Sequence, residues 1–373
     1  VPFVVLDDDH CYSHDTCSAK YGVCACRDCD LRELNVASPL DTKHVEGSEF
    51  MRLALDLGYY AAKWKTLHNS GSFLTVAAPH QEVAYGLSDT HESYLRLEDG
   101  SEWNIGNPDG GLTSQRQDSH WIESDLYRAL CLYAFTEATT GSPVTFQITT
   151  GLPLTNFKAH REVLRSRLLG EFKARRGTSR RWQTFRVESV SVVPQCWGAL
   201  FDVALSDTGV IIDDQYTNGH IGVVDIGSKT TGFVGLKALR EVPSESGAVS
   251  RGAWDAIGQA RKILEATYPD LPWTNYVAES VLRQNEVRYY GESYTTDDIL
   301  RKVSKTLAEN TIGEITTRWG DCAQMDAILV VGGGAHLIGQ FIKERFPQVV
   351  VVDEPESANV RGYLKHAAFV ARR

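Results

Sequence analysis

Leu53-Ala-Leu-Asp56-Leu-Gly58-Tyr59-Tyr60-Ala-Ala-Lys63-Trp64 and Gly222-Val-Val-Asp225-Ile-Gly227-Ser228-Lys229-Thr230-Thr-Gly232-Phe233 are two copies of one plan, set far apart in the chain. Each is an apolar strand, an aspartate, an apolar residue, a glycine, a short loop and an apolar return strand. That order reads as a β-hairpin. The glycine permits the tight bend and lets backbone N–H groups approach an anion. An aspartate at the strand end is placed to hold a divalent ion through water, and Lys63 is within reach of a phosphate oxygen. A single Asp-x-Gly turn is common. Two at equivalent places point to a molecule built from two related halves.

A third element, Asp326-Ala-Ile-Leu-Val-Val-Gly332-Gly333-Gly334-Ala335, reads as a buried strand ending in three glycines before a helical segment, Leu337–Arg345. Glycines at such a junction let a flat ligand lie on the backbone beside a helix N-terminus. The alternative is a plain tight turn. The Gly-x-Gly-x-x-Gly spacing of a dinucleotide fingerprint is missing. Periodicity gives helices over Leu126–Thr139, Phe157–Arg176, Ala248–Thr267 and Ile299–Arg318, and strands over Val144–Thr149, Phe185–Val193, Ala327–Val331 and Val349–Val352.

The chain has 373 residues, 42% hydrophobic and 23% charged, which suits two domains or one two-lobed enzyme and excludes a mainly disordered protein. No apolar run approaches the ~18 residues of a membrane helix. Net charge is −10, and residues 1–50 hold ten acids against four bases, so this acidic leader stands apart from the rest. Five of the eight cysteines (Cys11, Cys17, Cys24, Cys26, Cys29) also lie there, with His10 and His14. The leader reads as disordered or as an extension upstream of a natural start at Met51. A zinc site is the alternative, although the paired C-x-x-C spacing of a standard zinc site is absent. Cys131, Cys196 and Cys322 look like buried thiols of a cytoplasmic protein.

The Asp-x-Gly-x4-Lys loop, the Asp-Ile-Gly-x-x-Thr loop and the late Gly-Gly-Gly-Ala turn, in that order, resemble the actin-like ATPase superfamily. Residues 51–373 look like its ParM/StbA type, the plasmid-segregation actins. Thr150-Gly-Leu-Pro153, Val193-Pro-Gln195-Cys-Trp-Gly and Asn359-Val-Arg-Gly-Tyr-Leu-Lys are similar to further segments of that group. The fold implied is α/β: two ribonuclease-H-like domains with a nucleotide cleft between them, domain I over 51–215, domain II over 216–355, and a helix over 356–373 returning to domain I. The resemblance implies ATP and magnesium as cofactors. Asp56 and Asp225 would position the ion, and Gln195 would orient the attacking water. Gly58, Tyr59, Tyr60, Lys63, Gly227, Ser228, Lys229 and Thr230 would hold the phosphates, and Gly332, Gly333, Gly334 and Ala335 would lie against the adenosine. Tyr59-Tyr60 and Gly232 depart from the family pattern, which implies fewer side-chain contacts to the γ-phosphate and slow turnover.

The partners implied are further copies of the chain in a filament and a DNA-bound adaptor protein; no membrane is implied. Nine bases between Lys158 and Arg181 face only Glu162 and Glu171. They read as a solvated helix face, a contact for an acidic surface of the next subunit, or a polyanion site. A small-molecule kinase of the same superfamily and a non-hydrolysing nucleotide-binding scaffold are the competing functions.

Overall fold

The structure, a computed structural model, describes residues 50–80, 94–106, 121–177, 179 and 181–372, all within one compact unit. The Cys-rich leader and its zinc alternative lie outside the described residues. Among those residues no helix is long and apolar enough to cross a membrane.

The first half contains β1 (Met51–Leu57), β2 (Ala61–Lys65), β3 (Ser70–Leu74), β4 (Ala77–Pro79), β5 (Tyr94–Leu97), β6 (Glu102–Ile105), α1 (Asp125–Ala138), β7 (Val144–Leu152), α2 (Leu154–Leu168), β8 (Gly170–Arg176) and β9 (Gln183–Pro194). Its nine strands run in the order β3-β2-β1-β7-β9-β8-β5-β6-β4. After α3 (Gln195–Ala204) and α4 (Asp214–Asn218) the second half follows with β10 (His220–Ile226), β11 (Thr231–Lys237), β12 (Arg240–Val249), α5 (Ala253–Thr267) and α6 (Asn275–Gln284). A small hairpin of β13 (Glu286–Tyr289) and β14 (Glu292–Thr295) precedes α7 (Asp297–Trp319), β15 (Ala327–Val331), α8 (Ala335–Arg345), β16 (Val349–Val351) and α9 (Ala358–Val370).

The second sheet, β12-β11-β10-β15-β16, repeats the inner order of the first. In both sheets an antiparallel meander is extended by parallel strands: β1 pairs with β7 as β10 pairs with β15. The repeat read from the two Asp-x-Gly loops is therefore a repeat of architecture, and the mixed α/β fold agrees with the one expected.

Two helices exchange partners between the halves. Strand β9 of the first sheet leads into α3, yet Cys196, Ala199 and Leu200 of α3 pack on Ile221, Val223 and Leu236 of the second sheet. Helix α9 follows the second sheet, yet Val360, Tyr363 and Leu364 pack on Ala54 and Val193 of the first. The two helices cross where glycine faces glycine, and a methyl on Gly362 would overlap the Gly198 carbonyl. The buried carboxylate of Asp202 on α3 takes Arg361 at 2.5 Å and Lys365 at 2.9 Å, both from α9. Removing one partner of such a buried cluster is costly because it strands the other's charge.

The expected helix over Phe157–Arg176 is corrected. The helix stops at Leu168, Gly170 sits at φ +124°, and the chain continues as strand β8, with Ala174 buried against the first core. The run of bases hid that change of period. The helix expected from Ala248 likewise starts later, at Ala253, because Ala248 and Val249 still pair with β11.

Gly362→Ala is expected to destabilise the protein by about 3 kcal/mol, the upper part of the overpacking range. Gly258→Ala in α5, where an added methyl meets nothing within 4 Å, is expected to stabilise by about 0.5–1 kcal/mol. Urea unfolding midpoints of the two variants check this; an unperturbed Gly362→Ala would contradict the close helix crossing.

Candidate functional site

The two hairpin loops close alike. Gly58 donates its N–H to the Ala61 carbonyl at 3.2 Å, and Gly227 donates to the Thr230 carbonyl at 2.9 Å. In register, Asp56 lies opposite Lys63 and Asp225 lies opposite Gly232. One cavity between the halves is lined by Asp56, Gly58 and Tyr59, by Gln195 and Cys196, and by Asp225, Gly227, Thr230 and Gly232. Gly151, Leu152 and Pro153, the end of β7 and the residue after it, complete one wall.

Both aspartates are nearly sealed from solvent, Asp56 at 4% and Asp225 at 8% exposure. Gln195, the first residue of α3, donates its side-chain amide to Asp56 Oδ1 at 3.1 Å, and Lys63 Nζ stands 3.9 Å from Oδ2. Burial raises the Asp56 pKa, while Lys63 and then Gln195 pull it down. Asp225 accepts the Asn359 side-chain amide at 2.8 Å. Burial pushes its pKa up to about 6; the Asn359 hydrogen bond opposes this, and the charge of Asp56 adds to it. Two buried carboxylates are thus held close enough to repel, with one lysine to share.

The remaining expected residues divide. The Gly227 and Ser228 carbonyls accept the Ala253 and Trp254 amides of α5, so the start of that helix is bonded to the second loop. Lys229 lies over the Tyr59 ring at 5.2 Å, and burial lowers its pKa. Tyr60 is not on the cavity wall. Its ring packs beside the Trp254–Tyr276 pair, at 6.0 and 6.1 Å, and its hydroxyl donates to Glu279 on α6. Both tyrosines of the first loop therefore reach the second half. The glycine triplet is also uneven. Gly332, at φ +85°, has no room for a Cβ, which would lie 2.5 Å from the Ile226 carbonyl and 2.6 Å from Asp225 Oδ1. Gly334 is equally closed by Ile226, and only Gly333 faces open space. So two of these glycines let the turn press against the strand that carries Asp225.

Sequence reasoning missed Asn359 as the residue that positions Asp225. Its Oδ1 also accepts the Ala199 amide of α3, at 3.2 Å. The hydroxyl of the buried Tyr363, four residues on, donates to the Gln195 carbonyl, and no local pattern in the sequence marks Asn359 for its role.

Comparison with known proteins places the fold. Residues 54–198 match the N-terminal domain of actin-like proteins, and residues 223–344 match the C-terminal part of the archaeal MreB-like actin homologues. The chain belongs to the actin-like superfamily. An archaeal actin homologue of Thermoplasma volcanium is 28% identical over 286 residues, covering 72% of this chain and 80% of the relative. The Thermoplasma acidophilum homologue is 29% identical over 239 residues, 60% of this chain and 68% of its own. Among solved structures, an archaeal actin homologue in complex with ADP gives a TM-score of 0.71 at 22% identity, covering 85% of this chain and 99% of that one. A ParM filament from Clostridium botulinum gives 0.69 at 20% identity, covering 86% and 99%. The actin-like resemblance and the two-domain fold it implies are borne out.

The raised Asp225 sets a pH dependence for the folded protein. Its folded carboxyl, near 6, holds a proton more tightly than an unfolded one at 3.8. It therefore favours the folded state below pH 3.8, and that contribution is lost as the pH rises through about 6. Asp225→Asn, which keeps the shape without the charge, is expected to be the more stable protein at pH 8, by at most about 3 kcal/mol, with the difference gone near pH 4. Denaturant unfolding of both proteins across this range is the check; a pH-independent difference would contradict it.

Proposed function

We propose that this actin-like protein binds ATP with magnesium in the cleft between its halves, hydrolyses it slowly, and assembles into filaments that serve DNA segregation in the cytoplasm. The observation that carries this reading is the pair of buried, mutually repelling carboxylates at the ends of β1 and β10. Such a pair calls for a cation. Among the described residues no cluster of three or more His, Cys, Asp or Glu side chains stands ready for a metal. An ion held by two carboxylates, waters and substrate phosphate is the coordination magnesium prefers, so the residues fit it.

Asp56 and Asp225 would hold the ion, which when bound supplies positive charge to the phosphoryl oxygens. Gly58, Gly227 and Thr230 bring backbone groups to the same wall. With its amide nitrogen committed to Asp56, Gln195 keeps its side-chain oxygen to accept a hydrogen bond from a water. An amide aligns that water without taking its proton, and phosphoryl transfer tolerates this because positioning and charge stabilisation dominate. Gly333 remains the open surface for the nucleoside; Ser228, Lys229 and Tyr60 act by tying the two loops to their neighbours.

The relatives support assembly: solved structures of this fold include filaments of ParM and of Alp12. A DNA-bound adaptor completes the segregation reading. The kinase alternative calls for a further acid facing the cavity, and among the described residues its wall carries only Asp56 and Asp225.

Light scattering of the full chain is expected to rise on addition of magnesium and ATP above a threshold concentration and to decay as phosphate is released. Gln195→Ala is expected to slow phosphate release ~100-fold while leaving nucleotide affinity nearly unchanged, so that scattering persists. Phosphate release at the wild-type rate would remove Gln195 from the mechanism, and no scattering at any concentration would overturn the filament reading.

A further inference from the structure

The β13–β14 hairpin ends in Tyr290-Gly291, both with left-handed backbones at φ +49° and +87°. This is the conformation of a two-residue turn that favours Asn-Gly, and it is disfavoured for a residue with a large side chain. Burial does not compensate, because Tyr290 is 81% exposed. The ring is nevertheless held in place. The hydroxyls of Tyr289 and Tyr290 both donate to Asp270 Oδ2, at 2.6 and 2.9 Å, and the two rings meet edge-on at 4.5 Å. Tyr294, 45% exposed, extends the same aromatic surface through Tyr268. Glu286 and Glu292 on the hairpin and Asp297 and Asp298 at the start of α7 are exposed, against one exposed base on the hairpin, Arg288; in register, Glu292 shares the face of Tyr289 and Tyr294. Rigid, exposed tyrosines in a charged frame have the composition of a protein interface.

The complementary surface is on the other half of the chain. Helix α2 exposes Lys158, Arg161, Arg165 and Arg167. Glu162 alone opposes them on the helix, shared by Arg161 at 3.5 Å and Arg165 at 3.9 Å. Arginine suits both parts of the hairpin surface, since it pairs with carboxylates and stacks on tyrosine rings. Resting on the filament reading, we infer that the tyrosine hairpin of one copy docks on the cationic face of α2 of the next. Two different patches make a head-to-tail contact that leaves one of each free at the ends, which is the requirement for an open filament. DNA would also suit α2 but would leave the strained, acidic hairpin unexplained.

The test uses the full chain with magnesium and ATP. Tyr290→Asn suits the left-handed turn, so the thermal midpoint of the monomer is expected to hold or rise while the assembly threshold rises about tenfold. Arg161→Glu with Arg165→Glu is expected to raise the threshold similarly from the other side. At a concentration between the wild-type and variant thresholds, each variant alone should sediment as monomer, and a mixture of the two as a capped dimer, because each retains the face the other lacks. Assembly of either variant at the wild-type threshold, or a mixture that stays monomeric, would overturn the proposed contact while leaving the filament reading intact. So would normal assembly of the arginine variant accompanied by loss of salt-sensitive DNA binding, which would assign α2 to DNA. Wild-type protein that never assembles would overturn the filament reading and this contact with it.

Discussion

Two carboxylates of like charge are buried within reach of each other, and the arrangement around them exists to keep them there. Burial alone would drive at least one of them to take up a proton. Gln195 and Lys63 counter this at Asp56, and Asn359 counters it at Asp225. Gln195 and Asn359 sit on the two helices that also join the halves, and Lys63 sits on the strand beside β1. The site is therefore a property of both halves, since each aspartate is bonded by the helix that follows its own sheet and packs on the other.

The crossing helices explain how the halves are kept in register. Helix α3 begins with Gln195 and packs on the second sheet; α9 carries Asn359 and Tyr363 and packs on the first. Their glycine contact brings the two backbones close enough for Asn359 to accept from Ala199 while donating to Asp225. Tyr60 and Tyr59 add a second tie on the opposite side of the loops, through Glu279 and Lys229. A change of angle between the halves would have to move both ties together.

Much of this was legible in the sequence because the turns are chemically explicit. An aspartate and a glycine fixed the end of β1 and of β10, and the all-apolar run before Gly332 fixed β15. What escaped was written in less distinctive residues. The bases from Lys158 to Arg176 read as one helix because charge masks the alternation of Phe172 and Ala174 that belongs to a strand. The β13–β14 hairpin was missed because its turn uses Tyr-Gly in place of Asn-Gly. Asn359 was seen only as part of a closing helix: its role depends on a partner 134 positions away, and no local pattern shows that. Two of the three glycines expected to lie against the nucleoside are also required by the strand beneath them.

The most direct measurement is a carboxyl-carbon NMR titration of the aspartates, with Asp225 assigned by its loss in Asp225→Asn. A carboxyl that titrates near pH 6 in the free protein, and is held ionised to below about pH 5 once magnesium and ADP are bound, is the predicted result. A carboxyl at Asp225 whose titration is the same with and without magnesium and ADP would contradict the account.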